Sequence, residues 1–184
     1  WSPAIFLGWS NIGFDDEMLR KEFFKGIRYP YITNASPNKR HDGINIARAA
    51  YAVDPNVLKT EINEKNNPVF KLESLSRING FDSSDAHSAL FDAKLTMNIL
   101  QLIKKKQPNT WNTFLMTANR SDTETIFKKE SIITLNEYFY GKSRLYLCAP
   151  LHPKHCIHPI YQWGQAVDLR VDVDPLIKMS INQL

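Results

Sequence analysis

Two short segments carry residue types that can hold metal ions against a phosphate group. Residues 11–16 read NIGFDD, and residues 87–92 read HSALFD. Carboxylate oxygens are the ligands that Mg²⁺ and Mn²⁺ prefer, and an imidazole with a pKa of about 6.5 can accept a proton from water. Two cations about 3.5–4 Å apart can activate a water and stabilise the leaving oxygen of a phosphodiester. Together, the two segments predict a metal-dependent nuclease.

Asp15 is the carboxylate of the first segment that we expect to act, because of what precedes it. The apolar run at residues 4–8 predicts a strand that is covered on both faces, and sites of α/β proteins collect at the carboxyl edge of the sheet. We choose Asp15 over Asp16 because the residue after Phe14 should be fixed by the core. The alternative is that these carboxylates only cap a helix.

His87 and Asp92 are a weaker signal when they are taken alone. A separation of five residues is one helical turn plus about 140°, so the two side chains do not share a face. They converge on one site if His87 lies in a splayed first turn and Asp92 lies one turn further on. The simpler alternative is that His87 caps a helix and Asp92 is solvated.

The elements that position these residues follow from apolar periodicity. Predicted helices cover about residues 14–25, 42–53, 70–79 and 84–107, with Gly26 and Gly80 closing the first and third. Predicted β-type runs cover 132–135, 138–140, 144–148 and 165–171. The first helix should turn four apolar residues to the core: Met18, Leu19, Phe23 and Phe24. Because residues 9–107 are mostly helical in pattern, the strands that pair with residues 4–8 are expected before Trp1. We therefore interpret the chain as a piece of a larger protein.

Composition adds weak constraints on the environment. The 184 residues carry a formal net charge of +4, which suits a polyanionic partner without demanding one. Cys148 and Cys156 are the only cysteines, and two cysteines do not make a disulfide framework. No apolar run reaches the roughly 18 residues of a membrane span. We expect a cytoplasmic protein that is not inserted in a membrane.

The order of the motifs resembles a known family of nucleases. Asn11-x-x-Phe14-Asp15, residues 72–80 with Leu72 and Leu75, and residues 86–92 with His87 and Asp92 resemble the second and third motifs of DEDDh-type 3′→5′ exonucleases. Residues 8–20 (GWSNIGFDDEMLR), 48–52 (RAAYA), 149–153 (APLHP) and 167–169 (VDL) are similar to the bacterial exonuclease I family. The resemblance covers nearly the whole chain.

The resemblance implies a fold and an activity. The fold is α/β, with residues 1–118 as the carboxyl-terminal part of a ribonuclease H-like exonuclease domain and residues 119–184 as the start of a small β-barrel-like domain. The implied activity is 3′→5′ hydrolysis of single-stranded DNA to 5′-mononucleotides, in DNA repair, by a monomer. Single-stranded DNA is the implied partner, together with a single-strand DNA-binding protein.

The resemblance also implies roles for the candidate residues. Asp15 and Asp92 would be ligands of two Mg²⁺ (or Mn²⁺) ions, and His87 would be the general base. The family's first motif, an Asp-x-Glu on the first strand, supplies two further carboxylates, and this chain lacks it. We therefore expect the chain alone to bind metal poorly and to be impaired as a nuclease.

Other residues suggest binding roles or rival functions. Asn11 should fix the turn before the first helix or contact the terminal nucleotide. Aromatic and basic residues alternate across a predicted hairpin, and this pattern favours equally a platform for single strands or a half-buried strand: Tyr138, Tyr140, Lys142, Arg144 and Tyr146. We expect Tyr138 and Arg144 to bind substrate. One rival is a catalytically inactive single-stranded nucleic-acid-binding protein.

A second rival is a zinc-stabilised interaction module. It would use a Cys/His cluster in the second half of the chain: Cys148, His152, His155, Cys156 and His158. The spacing of this cluster fits no zinc finger or zinc ribbon, and we expect a polar hairpin loop instead.

Overall fold

The computed structural model describes residues 2–82 and 88–178 and confirms the α/β class. In chain order the elements are β1 (Ile5–Gly8), α1 (Asp15–Lys25), β2 (Lys39–Asp42), α2 (Gly43–Val53), α3 (Leu72–Ile78), α4 (Ala89–Lys106), α5 (Pro108–Met116), α6 (Arg120–Lys129), β3 (Ile133–Phe139), β4 (Lys142–Pro150), β5 (Ala166–Asp168) and α7 (Asp174–Lys178). None of the described helices combines the length and the apolar character that a bilayer span requires.

Strand β1 pairs in parallel with β2, in a register that runs from Ile5↔Lys39 to Gly8↔Asp42. The expectation that the partners of β1 all precede Trp1 is therefore wrong, because β2 follows it in the chain. The sequence of β2, KRHD, has no apolar run that would predict a strand. Ile5 and Leu7 are 40% and 38% exposed, so the described chain does not cover both faces of β1.

Helix α1 has the predicted bounds, but its expected core face is wrong. Met18, Leu19 and Phe24 are 46%, 43% and 76% exposed, and of the four predicted residues Phe23 is half-buried. The buried residue of α1 is Asp16, at 3% exposure, and its Oδ2 accepts a hydrogen bond from Arg40 Nη1 at 2.9 Å. Within the described chain, α1 is thus held by a buried ion pair rather than by its apolar side.

The first core lies among α2, α3, α4 and α5. The predicted stripe of α4 is confirmed, because Leu95, Ile99 and Ile103 are at most 2% exposed and Leu102 packs against the same cluster. Helix α4 starts at Ala89 and not near residue 84, because Ser88 is its N-cap and accepts from the Phe91 amide at 3.3 Å. Residues 83–87 lie outside the described part of the chain.

The second core lies between α6 and the antiparallel sheet of order β3-β4-β5. It contains Phe127, Ile133, Cys148 and Cys156, each at most 9% exposed. The change to β structure after about residue 122 is confirmed, although 132–135 and 138–140 join in the single strand β3. A two-residue turn joins β3 to β4, with φ of 51° at Tyr140 and 78° at Gly141. The division between residues 118 and 119 stays a prediction.

Candidate active site

The turn between β1 and α1 is held by a carboxylate that no sequence motif singles out. Asp42, 4% exposed, lies at the carboxyl end of β2 and is the N-cap of α2. Its oxygens accept from the amides of Ser10 at 2.8 Å, Ile12 at 3.4 Å and Ile44 at 3.1 Å. One buried side chain thus fixes both the start of α2 and the loop that leads to Asp15.

Glycines let β1, the turn and α2 approach closely. A Cβ added at Gly43 would lie 2.8 Å from the Gly8 carbonyl oxygen and 3.1 Å from the Trp9 ring. A Cβ at Gly8 would lie 2.7 Å from the Cβ of Asn11. The carboxyl end of β1 therefore packs directly against the first residue of α2, with no room for a side chain between them.

Asn11 fixes the turn through its backbone. Its carbonyl oxygen accepts from the amides of Phe14 at 3.3 Å and Asp16 at 3.0 Å, which sets the start of α1. The residue is 6% exposed, and its Oδ1 is buried with no hydrogen-bond partner among the described residues. A contact of Asn11 with a nucleotide stays a prediction.

Asp15 and Asp16 lie in different environments. Asp15 is exposed and lines a cleft at the carboxyl end of β1, whereas Asp16 is committed to Arg40. The expectation that the core fixes the residue after Phe14 is wrong, because Phe14 is 63% exposed. Geometry separates the two carboxylates instead: the ion pair turns Asp16 inward and leaves Asp15 at the cleft.

The cleft has a volume of about 1020 Å³ and brings together residues from five elements or their flanks. Asp92, in the first turn of α4, is half-buried and lines the same cleft as Asp15. Trp9 and Phe70 form part of its wall and are joined by a 3.2 Å hydrogen bond from the indole nitrogen to the Phe70 carbonyl. The structure therefore brings Asp15 and Asp92 to one site, while His87 lies outside the described residues.

Glu73 is a third acidic residue in this cleft, and no sequence motif gives it a role. It lies in the first turn of α3, as Asp92 lies in the first turn of α4. The sequence could have indicated Glu73, because the helix predicted from about residue 70 places this residue near its start. Lys71 also lines the cleft. Within residues 2–82 and 88–178, however, no three acidic, His or Cys side chains are grouped closely enough to hold a metal ion.

The Cys/His cluster does not form a metal site in the described chain, so the zinc-stabilised module is not supported. Cys148 and Cys156 are buried free thiols of the second core, and burial raises the pKa of the Cys148 thiol. The Cys156 thiol donates to the Pro153 carbonyl at 3.4 Å. The His158 Nδ1 accepts from the amide of Tyr161 at 3.1 Å, so this ring is used in closing a loop.

Tyr138 and Arg144 lie on opposite faces of the second sheet. The register pairs Tyr138 with Ser143 and Glu137 with Arg144, and directly opposed residues of two strands share a face. Tyr138 packs towards the first core, where the guanidinium carbon of Arg48 lies 3.6 Å from its ring centroid. The prediction that Tyr138 and Arg144 belong to one platform is therefore wrong.

Curated proteins with a similar sequence are exodeoxyribonuclease I enzymes. Exodeoxyribonuclease I of Buchnera aphidicola (subspecies Acyrthosiphon pisum) is 32% identical in an alignment that covers 97% of this chain and 44% of that protein. The chain is similar to exodeoxyribonuclease I along nearly its whole length. The Escherichia coli enzyme of that name is 28% identical over 98% of this chain and 38% of its own. The chain thus spans less than half the length of these curated relatives. No protein-family model matches it.

Solved structures give the same result. Escherichia coli exonuclease I in complex with a dA16 oligonucleotide superposes with a TM-score of 0.75 and 27% identity, over 97% of this chain and 38% of that one. The zinc-bound form of the E. coli ExoI–ssDNA complex superposes with a TM-score of 0.72 and 27% identity, over 97% of this chain and 38% of that one. An ExoI/SSB-Ct complex superposes with a TM-score of 0.70 and 27% identity, over 96% of this chain and 38% of that one.

Proposed function

We propose that this chain is part of a 3′→5′ exonuclease that hydrolyses single-stranded DNA to 5′-mononucleotides. The similarity to exodeoxyribonuclease I over 97% of the chain carries this proposal. The shared cleft of Asp15 and Asp92 supports it, because these residues belong to different helices and 76 other residues separate them in the chain. The whole protein would act on single-stranded DNA, as the relatives crystallised with oligonucleotides do.

The residues of the cleft fit a metal site only in part. The carboxylates of Asp15 and Asp92 are the hard oxygen donors that Mg²⁺ or Mn²⁺ prefers, and a two-ion site is the usual arrangement for phosphodiester hydrolysis. Within the described residues no group of three His, Cys or acidic side chains lies close enough together to hold a metal ion. We therefore assign Asp15 and Asp92 as the ligands that this chain contributes, and we derive no catalytic step from them alone.

The other candidate residues take roles that match their chemistry. His87 is our candidate for the general base, because an imidazole can accept the proton of an attacking water near neutral pH. Asn11 is our candidate for a contact with the terminal nucleotide, since its buried Oδ1 has no partner among the described residues. Arg144, which is exposed on the second sheet, is a candidate for phosphate binding. Tyr138 is better suited to positioning the sheet through Arg48.

A comparison of single and double strands tests the function. In EDTA, the chain should bind a short single-stranded oligonucleotide more tightly than a duplex of the same sequence. With Mg²⁺ and a 5′-labelled single strand, it should release mononucleotides slowly and shorten the strand from its 3′ end. Asp15→Asn and Asp92→Asn should each reduce this release to the metal-free rate.

Glu22→Gln is the matched control, because it removes a carboxylate from the exposed side of α1 and disturbs only a surface ion pair with Lys25. This variant should keep the rate of the unsubstituted chain. Shortening from the 5′ end, or an equal loss of activity in the control, would contradict the proposal.

A second candidate function is a catalytically inactive single-strand-binding protein. The observation that favours it is the lack of a three-ligand group within the described residues. The same experiment separates the two: a preference for single strands without any metal-dependent release of mononucleotides would favour the binding protein.

We further propose a setting for the protein. Two buried free thiols are consistent with a reducing cytoplasm, and we propose a cytoplasmic monomer. A single-strand DNA-binding protein is a proposed partner, supported by the similarity to the protein in the ExoI/SSB-Ct complex.

A further inference from the structure

One wall of the cleft is formed by residues 70–73, and its inner end is Phe70. All four residues line the cleft, and Phe70 is the buried one, at 5% exposure. The Phe70 carbonyl accepts the hydrogen bond from the Trp9 indole nitrogen, so the position of Phe70 sets the position of Trp9 in the same wall. The strands β3, β4 and β5, all of which the structure describes, contribute no residue to the cleft.

Two tyrosines from different parts of the molecule contact the Phe70 ring. Tyr51 of α2 lies 5.7 Å from it, centroid to centroid, at an interplanar angle of 83°. Tyr138 of β3 lies 6.3 Å from it at 89°. Edge-to-face pairs at these distances are favourable beyond the area that they bury. Among the described apolar side chains of the second sheet, Tyr138 is the one that packs against the first core.

Arg48 of α2 holds the Tyr138 ring in this position. The separation of 3.6 Å between its guanidinium carbon and the ring centroid is well inside the range of about 6 Å for a cation–π interaction. Tyr138 therefore has one partner over its ring face and another, Phe70, at a right angle to it. A change of its rotamer would lose both contacts.

The tip of the same hairpin contacts the loop that leads to Phe70. A Cβ added at Gly141 would lie 2.5 Å from the side-chain nitrogen of Asn67, which is 6% exposed. The Asn67 amide donates to Asn63 Oδ1 at 3.0 Å, and its carbonyl accepts from the Asn63 amide at 2.9 Å. The β3–β4 hairpin thus contacts residues 67–70 at two places.

We propose that Tyr138 is a positioning residue for the cleft, acting through Phe70 on Trp9 and on the start of α3. The inference rests on the proposed function, for which this cleft receives the strand. The second sheet thereby supports a wall that it does not line. Loss of the Tyr138 ring frees residues 70–73 to move away from Trp9, whereas Asp15 and Asp92 are carried by other helices, α1 and α4.

The indole N–H of Trp9 reports on this role directly. Its NMR resonance in the full chain is assigned, among four tryptophans, by its loss in Trp9→Phe. Its hydrogen exchange with solvent measures how often the bond to Phe70 opens. Tyr138→Leu should speed this exchange about fivefold, as expected for the loss of one aromatic pair, while the core amides of Ile99 and Ile103 keep their rates.

The conservative variant Tyr138→Phe keeps the ring and should exchange the Trp9 indole as slowly as the unsubstituted chain. The affinity for a short oligothymidylate, measured in EDTA by fluorescence anisotropy, should follow the same order. It should fall about two- to fivefold in Tyr138→Leu and stay unchanged in Tyr138→Phe.

Two further variants keep the test specific. Arg48→Met removes the cation over Tyr138 and keeps a good helix former in α2, so the chain should fold normally and exchange the Trp9 indole about twofold faster. Tyr140→Leu is the control, because it removes a ring that is 88% exposed in the same hairpin. It should leave the Trp9 exchange unchanged.

The outcomes separate the positioning role from the function. If neither Tyr138→Leu nor Arg48→Met speeds the Trp9 exchange, or if the core amides accelerate by the same factor, the positioning role is wrong and a preference for single strands still supports the function. An equal effect of Tyr140→Leu would also overturn the role. A chain that does not bind single strands would overturn the function, and the Trp9 exchange would still decide whether Tyr138 positions the wall.

Discussion

At the residue scale, the candidate site depends on which carboxylates are turned inward and which remain at the cleft. Asp16 is paired with Arg40, and Asp42 accepts three backbone amides, so both are structural. Asp15 and Asp92 line the cleft. The residue types in the sequence and their spacing could indicate Asp15 and Asp92. They could not identify Asp42, because an aspartate after KRH carries no sign that its oxygens will meet a turn 30 residues upstream.

Asp42→Ala should destabilise the fold. The substitution removes a helix N-cap, which is usually worth about 1 kcal/mol, and leaves the amides of Ser10 and Ile12 without their acceptor. We expect the free energy of unfolding in urea to fall by about 2–3 kcal/mol. Asp42→Asn should lower the free energy of unfolding by less, because its side-chain carbonyl oxygen can still accept a hydrogen bond from a backbone amide.

Asp54 provides the control for this prediction. Its Oδ1 accepts the amide of Asn56 at 2.9 Å in an exposed turn. Asp54→Ala should therefore change the free energy of unfolding by no more than about 0.5 kcal/mol. A similar loss in both alanine variants would show that Asp42 does not hold the turn.

At the element scale, the contact between β1 and the start of α2 positions the cleft. Sequence patterns predicted β1, the bounds of α1 and the core stripe of α4, because each depends on local periodicity. They failed for β2, whose residues pair with β1 through the tertiary fold, and for the face of α1, whose apolar side chains stay exposed in the described chain. The partner of a strand and the buried face of a helix both depend on neighbours that lie far away in the sequence.

Gly43→Ala should destabilise the protein, although alanine is the better helix former by about 1 kcal/mol. The new Cβ would meet the Gly8 carbonyl oxygen at 2.8 Å, and a backbone atom cannot move aside as a flexible side chain does. We expect a loss of about 1–3 kcal/mol in the free energy of unfolding. The cleft should widen, and single-strand binding should weaken.

Gly13→Ala is the matched control, since no heavy atom lies within 4 Å of the position that a Cβ would take there. It lies in the same turn region, and reduced freedom of the unfolded chain should make it neutral or slightly stabilising. Chemical denaturation of both variants measures the difference. Equal stabilities would mean that β1 and α2 can separate freely.

At the scale of the whole molecule, a half-buried histidine links stability to pH. His41 lies at the end of β2, where its Nδ1 accepts the amide of Asp42 at 2.9 Å and its ring lies 6.4 Å from that of Phe114. Burial lowers the pKa of His41 below its usual 6.5, although Asp42 opposes this shift. The folded chain therefore holds this imidazole neutral where the unfolded chain would already bind a proton.

Stability should therefore decrease as the pH falls below about 6.5, because the unfolded state then binds more protons than the folded state. We expect a lower free energy of unfolding at about pH 5.5 than at about pH 7.5. His41→Asn keeps an acceptor for the Asp42 amide but cannot titrate, so its stability should change less between these two pH values. The same pH dependence in both proteins would exclude His41 as the cause.

The location of the cysteines has a practical consequence. Both thiols of the chain lie in the second core, at 5% and 0% exposure for Cys148 and Cys156, and the first core contains none. A thiol-specific reagent therefore reports on the opening of the β3-β4-β5 half alone. If labelling is as rare as global unfolding, the two halves unfold as one cooperative unit; faster labelling means that the second half opens while the cleft of Asp15 and Asp92 remains intact.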